Sequence, residues 1–329
     1  MTTRFLILAA FHSAAVCLAG DLPLTLIAVS GSEPPGRGAD YKHQEMDAPF
    51  VGRNGLVPYS AHVTYLGFQN PLSVNRYKGL YMGTPGAITW SNPGGPYPVT
   101  GRSGVYFLPQ KATAANSAGQ VLSTAAFVDN PAGVFPSLSG YGIIRGTGAT
   151  AELIYRDGDP APGMPGVTLF QPSGAGVKMN LNNNGRVTFS ALLTNSNGAA
   201  IYYTDTPGSL TKVVRTSEPI PGGGGNFTSL GPPATSDDGS IVFGAGIDSS
   251  FRNTIWVRSP AGVLASLVRP GTAVPAVAGA TFTDIAGGPF HLPLKADGST
   301  AFAASYGVSG VSKNGIFIHT NWNPLLRLS

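Results

Sequence analysis

Charge is scarce in this 329-residue chain: Asp, Glu, Lys and Arg together supply 11% of it. With hydrophobic residues at 42%, the charge excess that keeps a chain disordered is excluded. Cysteine is nearly missing. Cys17 stands alone, so no internal disulfide can form, and a mature chain that has lost its first twenty residues has no thiol chemistry at all. Past those twenty residues no stretch reaches the roughly 18 apolar residues of a membrane-crossing helix. Histidines are few: His12, His43, His62, His291 and His319. None stands beside another His, a Cys or an acid at metal-ligand spacing, so no metal or other cofactor is expected. No serine sits in a G-x-S-x-G elbow, and "PGGGGN" (221–226) lacks the lysine and the helix of a phosphate cradle. The formal charge of +4 is scattered. Without basic runs or aromatic–basic interleaving, nucleic acid is not an expected partner.

What the chain has in plenty is glycine, 45 residues, and proline, 28. Both break helices, and together they suit many short strands joined by tight turns. The start differs from the rest. Arg4 precedes the apolar "FLILAAFHSAAVCLA", which ends in small residues. That is the pattern of a secretory signal, with cleavage expected after Ala19 or Gly20. Residues 1–20 are therefore read as a signal peptide and 21–329 as a single repeat domain, secreted or displayed at the cell surface, without a membrane-spanning helix and monomeric.

The repeat is legible around Gly55, Gly119, Gly185, Gly239 and Gly298, which stand 54 to 66 residues apart. Asn54, Asn184, Asp238 and Asp297 precede four of them, and Ala118 the fifth. Asn-Gly and Asp-Gly are strong hairpin signals because tight turns need positive φ. Two residues after each glycine come Val57, Val121, Val187, Ile241 and Thr300. Four after come Tyr59, Ser123, Phe189, Phe243 and Phe302. Six after, every copy has alanine: Ala61, Ala125, Ala191, Ala245 and Ala304. Residues two apart share one strand face, so a buried stripe is expected in each copy, tapering from branched or aromatic to small, as a wedge-shaped sheet requires.

A second element recurs as "RDGDPAPG" (156–163), "RTSEPIPG" (215–222), "RPGTAVPA" (269–276) and a shortened "VSGSEPPG" (29–36). Strand-like runs precede it, and Phe170, Phe227 and Phe282 follow as plugs for the core beneath. Ahead of it stand "YGIIRG", "AAIYYTD", "NTIWVRS" and "NGIFIHT", with "KGLYMG" (78–83) in the same place of an earlier copy. Four strands per 50 to 65 residues make a propeller blade. The expected fold is all-β: a β-propeller of about five four-stranded blades, closed where residues 315–320 complete a blade begun by "LPLTLIAVSG" near the N-terminus. An incomplete larger propeller and tandem β-repeats are the alternatives, since "NPLLRLS" at the C-terminus competes for that closing slot.

Five rim residues are candidates for chemistry: Arg156, Asp157, Asp159, Arg215 and Glu218. Such loops can hold calcium, and Asp159 with Glu218 could pair as carboxylates for sugar chemistry. Both acids occupy repeat-equivalent positions three residues after an arginine, which favours a local tie or a solvated loop. Asp238, in "SDDG", is already accounted for as a hairpin residue. No catalytic residue is assigned. The irregular segments 67–78 and 129–140 are candidates for a distinct binding surface.

The Gly-headed strands and "GDPAPG"-type loops resemble bacterial choice-of-anchor tandem repeat, NxxGxxAF-containing proteins, over roughly residues 24 to 320. The leading Asn is matched at Asn116 and Asn182 and the Ala-Phe pair at Ala301-Phe302; the other copies depart from one or the other. The resemblance implies surface display or secretion and a propeller-like repeat, with no characterised activity to carry over. The expected role is thus a binding or structural module whose partner is an extracellular protein or a glycan. An extracellular propeller-fold hydrolase or lyase acting on polysaccharide is the rival.

Overall fold

A computed structural model describes residues 41–46, 57–65, 76–84, 87–92, 97–100, 103–128, 138–147, 150–170, 179–194, 198–247, 252–275, 277–285, 292, 294–320 and 326–328. The segments 1–40, 67–75 and 129–137, which include the leader and most of both irregular inserts, lie outside them. The described residues form five antiparallel sheets and no helix. The first holds β1 (Tyr41–Met46), β2 (Val57–Tyr65), β3 (Arg76–Thr84) and β4 (Ala87–Asn92). The second holds β5 (Tyr97–Pro98), β6 (Tyr106–Ala115), β7 (Val121–Val128), β8 (Leu138–Thr147) and β9 (Thr150–Arg156). The third has β10 (Leu169–Phe170) and β11 (Met179–Leu181) sharing one edge, then β12 (Val187–Leu193), β13 (Ala199–Thr204) and β14 (Thr211–Arg215). The fourth repeats this with β15 (Phe227–Leu230) and β16 (Ala234–Thr235), β17 (Ile241–Ile247), β18 (Arg252–Arg258) and β19 (Leu264–Val268). The fifth holds β20 (Thr281–Ile285), β21 (Thr300–Val308), β22 (Val311–His319) and β23 (Leu326–Leu328).

Every sheet keeps the same register at its centre. The stripe alanine of the second strand faces Gly79, Gly142, Ala200, Thr254 or Gly315 on the third. One position away on the opposite face, Thr124, Ser190, Gly244 and Ala303 pair with Ile143, Ile201, Ile255 and Ile316. The second to fifth sheets thus each have an alanine face and an isoleucine face. Ala125, Ala191, Ala245 and Ala304 are all buried, as the tapering stripe requires.

Three apolar clusters show what covers what. Ile143, Ile154 and Leu122 of the second sheet pack with Val187, Phe189 and Ala191 of the third. Ile201 and Val214 of the third pack with Phe243, Ala245 and Trp256 of the fourth. Ile255, Val257 and Val268 of the fourth pack with Phe302, Ala304 and Phe317 of the fifth. At these three joints the isoleucine face of one sheet therefore lies on the alanine face of the next. Each such branched or aromatic side chain withdrawn from water contributes about 1.5–3 kcal/mol. Sheets of this kind stay folded through their neighbours. Strands β6, β11 and β16 lie against one another from sheet to sheet.

The structure differs from the sequence reading in three places. The strands within each unit are those expected, but the unit is cut at a different point. The Pro element bridges two sheets, because the phenylalanine that follows it pairs with the next Gly-headed strand: Phe227 with Ile247, Phe282 with Tyr306. Phe170 is not a plug. It is 46% exposed while Leu169, one residue earlier, is fully buried and paired with Leu193; strand alternation places only one of the two inside. Finally, the slot beside residues 315–319 that the sequence reserves for "LPLTLIAVSG", which lies outside the described residues, is filled by the C-terminal segment. Residues 315–319 lie in β22, flanked by β21 and by β23, with Ile316 opposite Leu328. The "NPLLRLS" tail reaches that slot across a short connection, and a short loop closes at lower entropic cost than a chain-length one.

Candidate functional site

The register fixes two opposite ends. In the third sheet, Val187 beside the Gly turn pairs with Thr204, whereas Arg215, which opens the Pro loop, is level with Ala200 and Ala191 at the far end. Turns lie at one end of the sheet, the turn rim, and Pro loops at the other, the Pro rim.

At the turn rim, all four described copies are built identically. Gly119, Gly185, Gly239 and Gly298 donate their N–H to the carbonyl three residues back, on Asn116, Asn182, Ser236 and Lys295. Those same four residues donate to the carbonyl four residues ahead, on Gln120, Arg186, Ser240 and Ser299. Only the glycine has positive φ, +78° to +88°. This is a three-residue loop with a left-handed glycine rather than a two-residue turn. The residue before the glycine needs no special backbone, which is why Ala118 is tolerated there.

The turns also hold one another. Buried Asn116 accepts the N–H groups of Ala118 and Gln120 within its own turn and donates from Nδ2 to the Asn182 carbonyl, 3.2 Å away, in the next sheet. Asn182 accepts from Arg186 N–H and donates to the Ser236 carbonyl at 2.8 Å. Asn183 Oδ1 accepts from Ser117 N–H while its own N–H and Nδ2 donate to the Asp237 carboxylate. Asp237 N–H continues the chain to the Ala296 carbonyl. Arginines reinforce it from behind: Arg145 donates to the Gly185 carbonyl and Arg186 to that of Gly239. Arg186 also forks onto Asp205 at 2.7 and 2.8 Å. The Arg186 and Arg258 guanidiniums both lie over the Tyr203 ring, each 4.6 Å from its centroid.

The charges at this rim are tuned by those bonds. The Arg186 hydrogen bond holds the Asp205 carboxyl below its usual value. Burial would raise Asp238, but hydrogen bonds from Ser236 and Ser240 outweigh it and leave that carboxyl lowered. Asp297 is lowered by Ser299 N–H, 2.8 Å from its Oδ1. Groups depressed in the folded state stabilise it above the unfolded carboxylate pKa near 4, and that contribution disappears as pH falls through their folded values. The urea midpoint is therefore expected to be flat between pH 7 and about 5 and to drop below about pH 4. Asp205→Asn should flatten part of that drop; an unchanged acid limb would contradict the Arg186–Asp205 tie.

At the Pro rim, the candidate residues hold their own loops and their neighbours. Asp159 Oδ2 accepts from Arg156 N–H at 2.8 Å, and Glu218 Oε2 from Arg215 N–H at 3.0 Å. Asp157 accepts from Tyr141 N–H and donates its own N–H to the Tyr141 carbonyl, extending the ladder by one rung. Arg156 donates to the Ser139 carbonyl and lies over the Phe127 ring. Glu218 bonds Lys212 and lies 3.5 Å from Arg215 Nε, and Arg215 reaches back to Met164 Sδ on the preceding loop. Each loop is zipped onto the next strand: Gly158, Ser217 and Gly271 donate to the carbonyls of Leu169, Phe227 and Phe282. That zip needs positive φ, +87°, +67° and +88°, and Ser217 adopts it without being glycine.

The structure thus places Arg156, Asp157 and Asp159 on the connection from the second to the third sheet, and Arg215 and Glu218 on that from the third to the fourth. Asp284, in β20, accepts from the N–H of Ile285. Buried His319 lies on the alanine face of the fifth sheet, opposite Thr300. Among the described residues no group of three His, Cys, Asp or Glu side chains is placed to hold a metal ion. None of their helices could cross a membrane, since there are none. The residues sequence reading passed over are Arg145, Arg186, Asp205 and Asp237. Their signal is present only as Arg and Asp flanking the repeated turn, and it has no fixed offset.

Among solved structures, the chain is similar to a puromycin-hydrolyzing peptidase of Mycobacterium tuberculosis at 13% identity and a TM-score of 0.35, covering 88% of this chain and 38% of that one. It therefore spans little more than a third of the peptidase. It is similar to a GH43 β-1,3-galactosidase at 12% identity and a TM-score of 0.30, covering 81% and 88%. A mannose phosphorylase of Leishmania mexicana shares 12% identity at a TM-score of 0.29, with 85% of each chain covered. No curated protein matches the sequence. One family does, over residues 7–321, and the chain belongs to it: the family of unknown function DUF7453.

Proposed function

We propose that this protein is a five-bladed β-propeller, secreted or displayed at the cell surface, that serves as a binding or structural module. One observation supports this reading above the others. The carboxylates that the sequence offers for catalysis, Asp159 and Glu218, each accept the backbone N–H three residues back and so close their own loops. Carboxylates engaged in this way hold shape and are poorly disposed to act as a general acid or nucleophile. Recognition then falls to the surface of the ring, with an extracellular glycan or protein as partner. The apolar leader and the resemblance to NxxGxxAF repeat proteins support export.

The rival, a polysaccharide hydrolase or lyase, is separated by experiment. The exported protein should start at Gly20 or Asp21. Probed against an array of bacterial and plant polysaccharides, it is expected to be retained without releasing reducing ends or unsaturated products. Asp159→Asn and Glu218→Gln should leave retention unchanged. Product release that either substitution abolishes would overturn the binding reading in favour of the enzyme.

A further inference from the structure

The isoleucine face of the fifth sheet breaks the pattern of the second, third and fourth. Ile143, Ile201 and Ile255 are 0%, 0% and 1% exposed, each under the next sheet, whereas Ile316, at the same register, is 56% exposed. Around it on that face lie Ala301 and Ile318, half-buried, and Ala303, exposed. Across the sheet the alanine face is as well packed as its counterparts, with Phe302, Ala304 and Phe317 buried. The row of sheets therefore ends on an uncovered apolar surface of the kind that the second, third and fourth sheets keep dry.

At the start of the row the register repeats. The first sheet carries Val57, Tyr59 and Ala61 at the stripe positions, paired with Gly83, Tyr81 and Gly79. The third sheet has Val187, Phe189 and Ala191 there, paired with Thr204, Tyr202 and Ala200. By register and residue type, these are the positions that receive isoleucine faces in the third, fourth and fifth sheets. No sheet precedes it among the described residues.

We infer that the isoleucine face of the fifth sheet is the docking surface for the alanine face of the first sheet of the same chain. The inference rests on the propeller reading above and specifies its closing joint: a face-to-face apolar contact, with no strand shared between the chain's two ends. Continuity with the three established sheet–sheet contacts selects the occupant, because each of them joins these same two face types in this same order. A first sheet from a second copy would offer the same chemistry. A tethered partner is present at an effective concentration in the millimolar range, while copies joined head to tail would propagate into fibres unless the geometry closed.

The test uses the full chain with Cys17 replaced by serine. Ile316→Cys should react with a maleimide at least tenfold more slowly than Val311→Cys, at the exposed strand tip, and about as slowly as Ile255→Cys. Ala303→Cys serves as a second probe of the same face should Ile316→Cys fold poorly. Because stacked sheets lie about 10 Å apart, a short bis-maleimide should join Tyr59→Cys to Ile316→Cys within one chain, at a yield independent of protein concentration. Labelling of both face probes as fast as Val311→Cys would overturn the docking while leaving retention on a polysaccharide array untouched. Cross-linked dimers and ladders in place of the internal product would show that a second copy covers the face, and would overturn both the same-chain joint and the closed five-sheet ring.

Discussion

Asn182→Asp is expected to destabilise the protein by about 3–5 kcal/mol at pH 7, the range for a buried charge left without its partner. Asn182 is 1% exposed, and its two ends do different things. The oxygen accepts from Arg186 N–H at 2.7 Å; the amide donates to the Ser236 carbonyl at 2.8 Å. Aspartate preserves the first contact and turns the second into two acceptors facing each other across the joint between the third and fourth sheets. Asn182→Ala removes both contacts without adding a charge and should cost less, about 1–3 kcal/mol for the groups left unsatisfied. The signature is the dependence on pH. The introduced carboxyl has its folded pKa raised above the unfolded value, so its penalty is largest above the folded pKa and shrinks as pH falls through it. A protonated acid can again donate to Ser236. The gap in urea midpoint between Asn182→Asp and wild type should therefore narrow between pH 7 and 4.5, while that of Asn182→Ala stays constant. Equal and pH-independent losses in the two variants would mean that Asn182 does not join the sheets.

That buried asparagine also marks where sequence reading stops. The five glycines, the alanine column and the hydrophobic alternation are local signals with a fixed offset, and the strands they imply occur in the sheets. The identity of each strand's neighbour is also legible, because the "GIF"-type run follows the Gly-headed strand by a short connection. What the repeat does not reveal is which sheet a loop belongs to. The Pro element is equally compatible with ending one sheet and with beginning the next; only the pairing of Phe227 with Ile247 decides it. Nor can spacing distinguish Leu169 from Phe170 when both are apolar and adjacent. At the turn rim, the residue next to the glycine draws attention because Asn-Gly is a familiar pair. The asparagine three residues before the glycine does more, and its function is to reach a different sheet 54 residues away in sequence. The candidate acids were legible as positions but not as partners, since an oxygen that accepts from its own loop looks the same in sequence as one that awaits a ligand.

Gly142→Ala should be the most damaging single-methyl change in the second sheet. Gly142 lies on β8 opposite both Ala125 of β7 and Arg156 of β9. A Cβ there would overlap the Tyr155 carbonyl oxygen and stand 2.8 Å from the Phe127 ring and 3.0 Å from the Arg156 Cα. Two of those three obstacles are backbone, so no rotamer change relieves them; β9 must move away from β8. Overpacking of this sort costs about 3 kcal/mol at the upper end of the usual range. Gly315 supplies the control, because it occupies the same register in the fifth sheet. Its nearest obstacles are two atoms of the Phe317 ring, at 3.1 and 3.2 Å, and a ring can turn by a few tenths of an ångström. Gly315→Ala should therefore cost no more than about 1 kcal/mol. The two variants, compared by urea unfolding, test whether the constraint is the approach of two strands or the packing of a ring. Displacing β9 also carries Arg156 and its Pro loop with it, and so loosens the zip between Gly158 and Leu169 that leads into the third sheet. Amide exchange in Gly142→Ala should accelerate at Gly158 and Leu169 before it does in β12, and uniform exchange throughout both sheets would contradict that order.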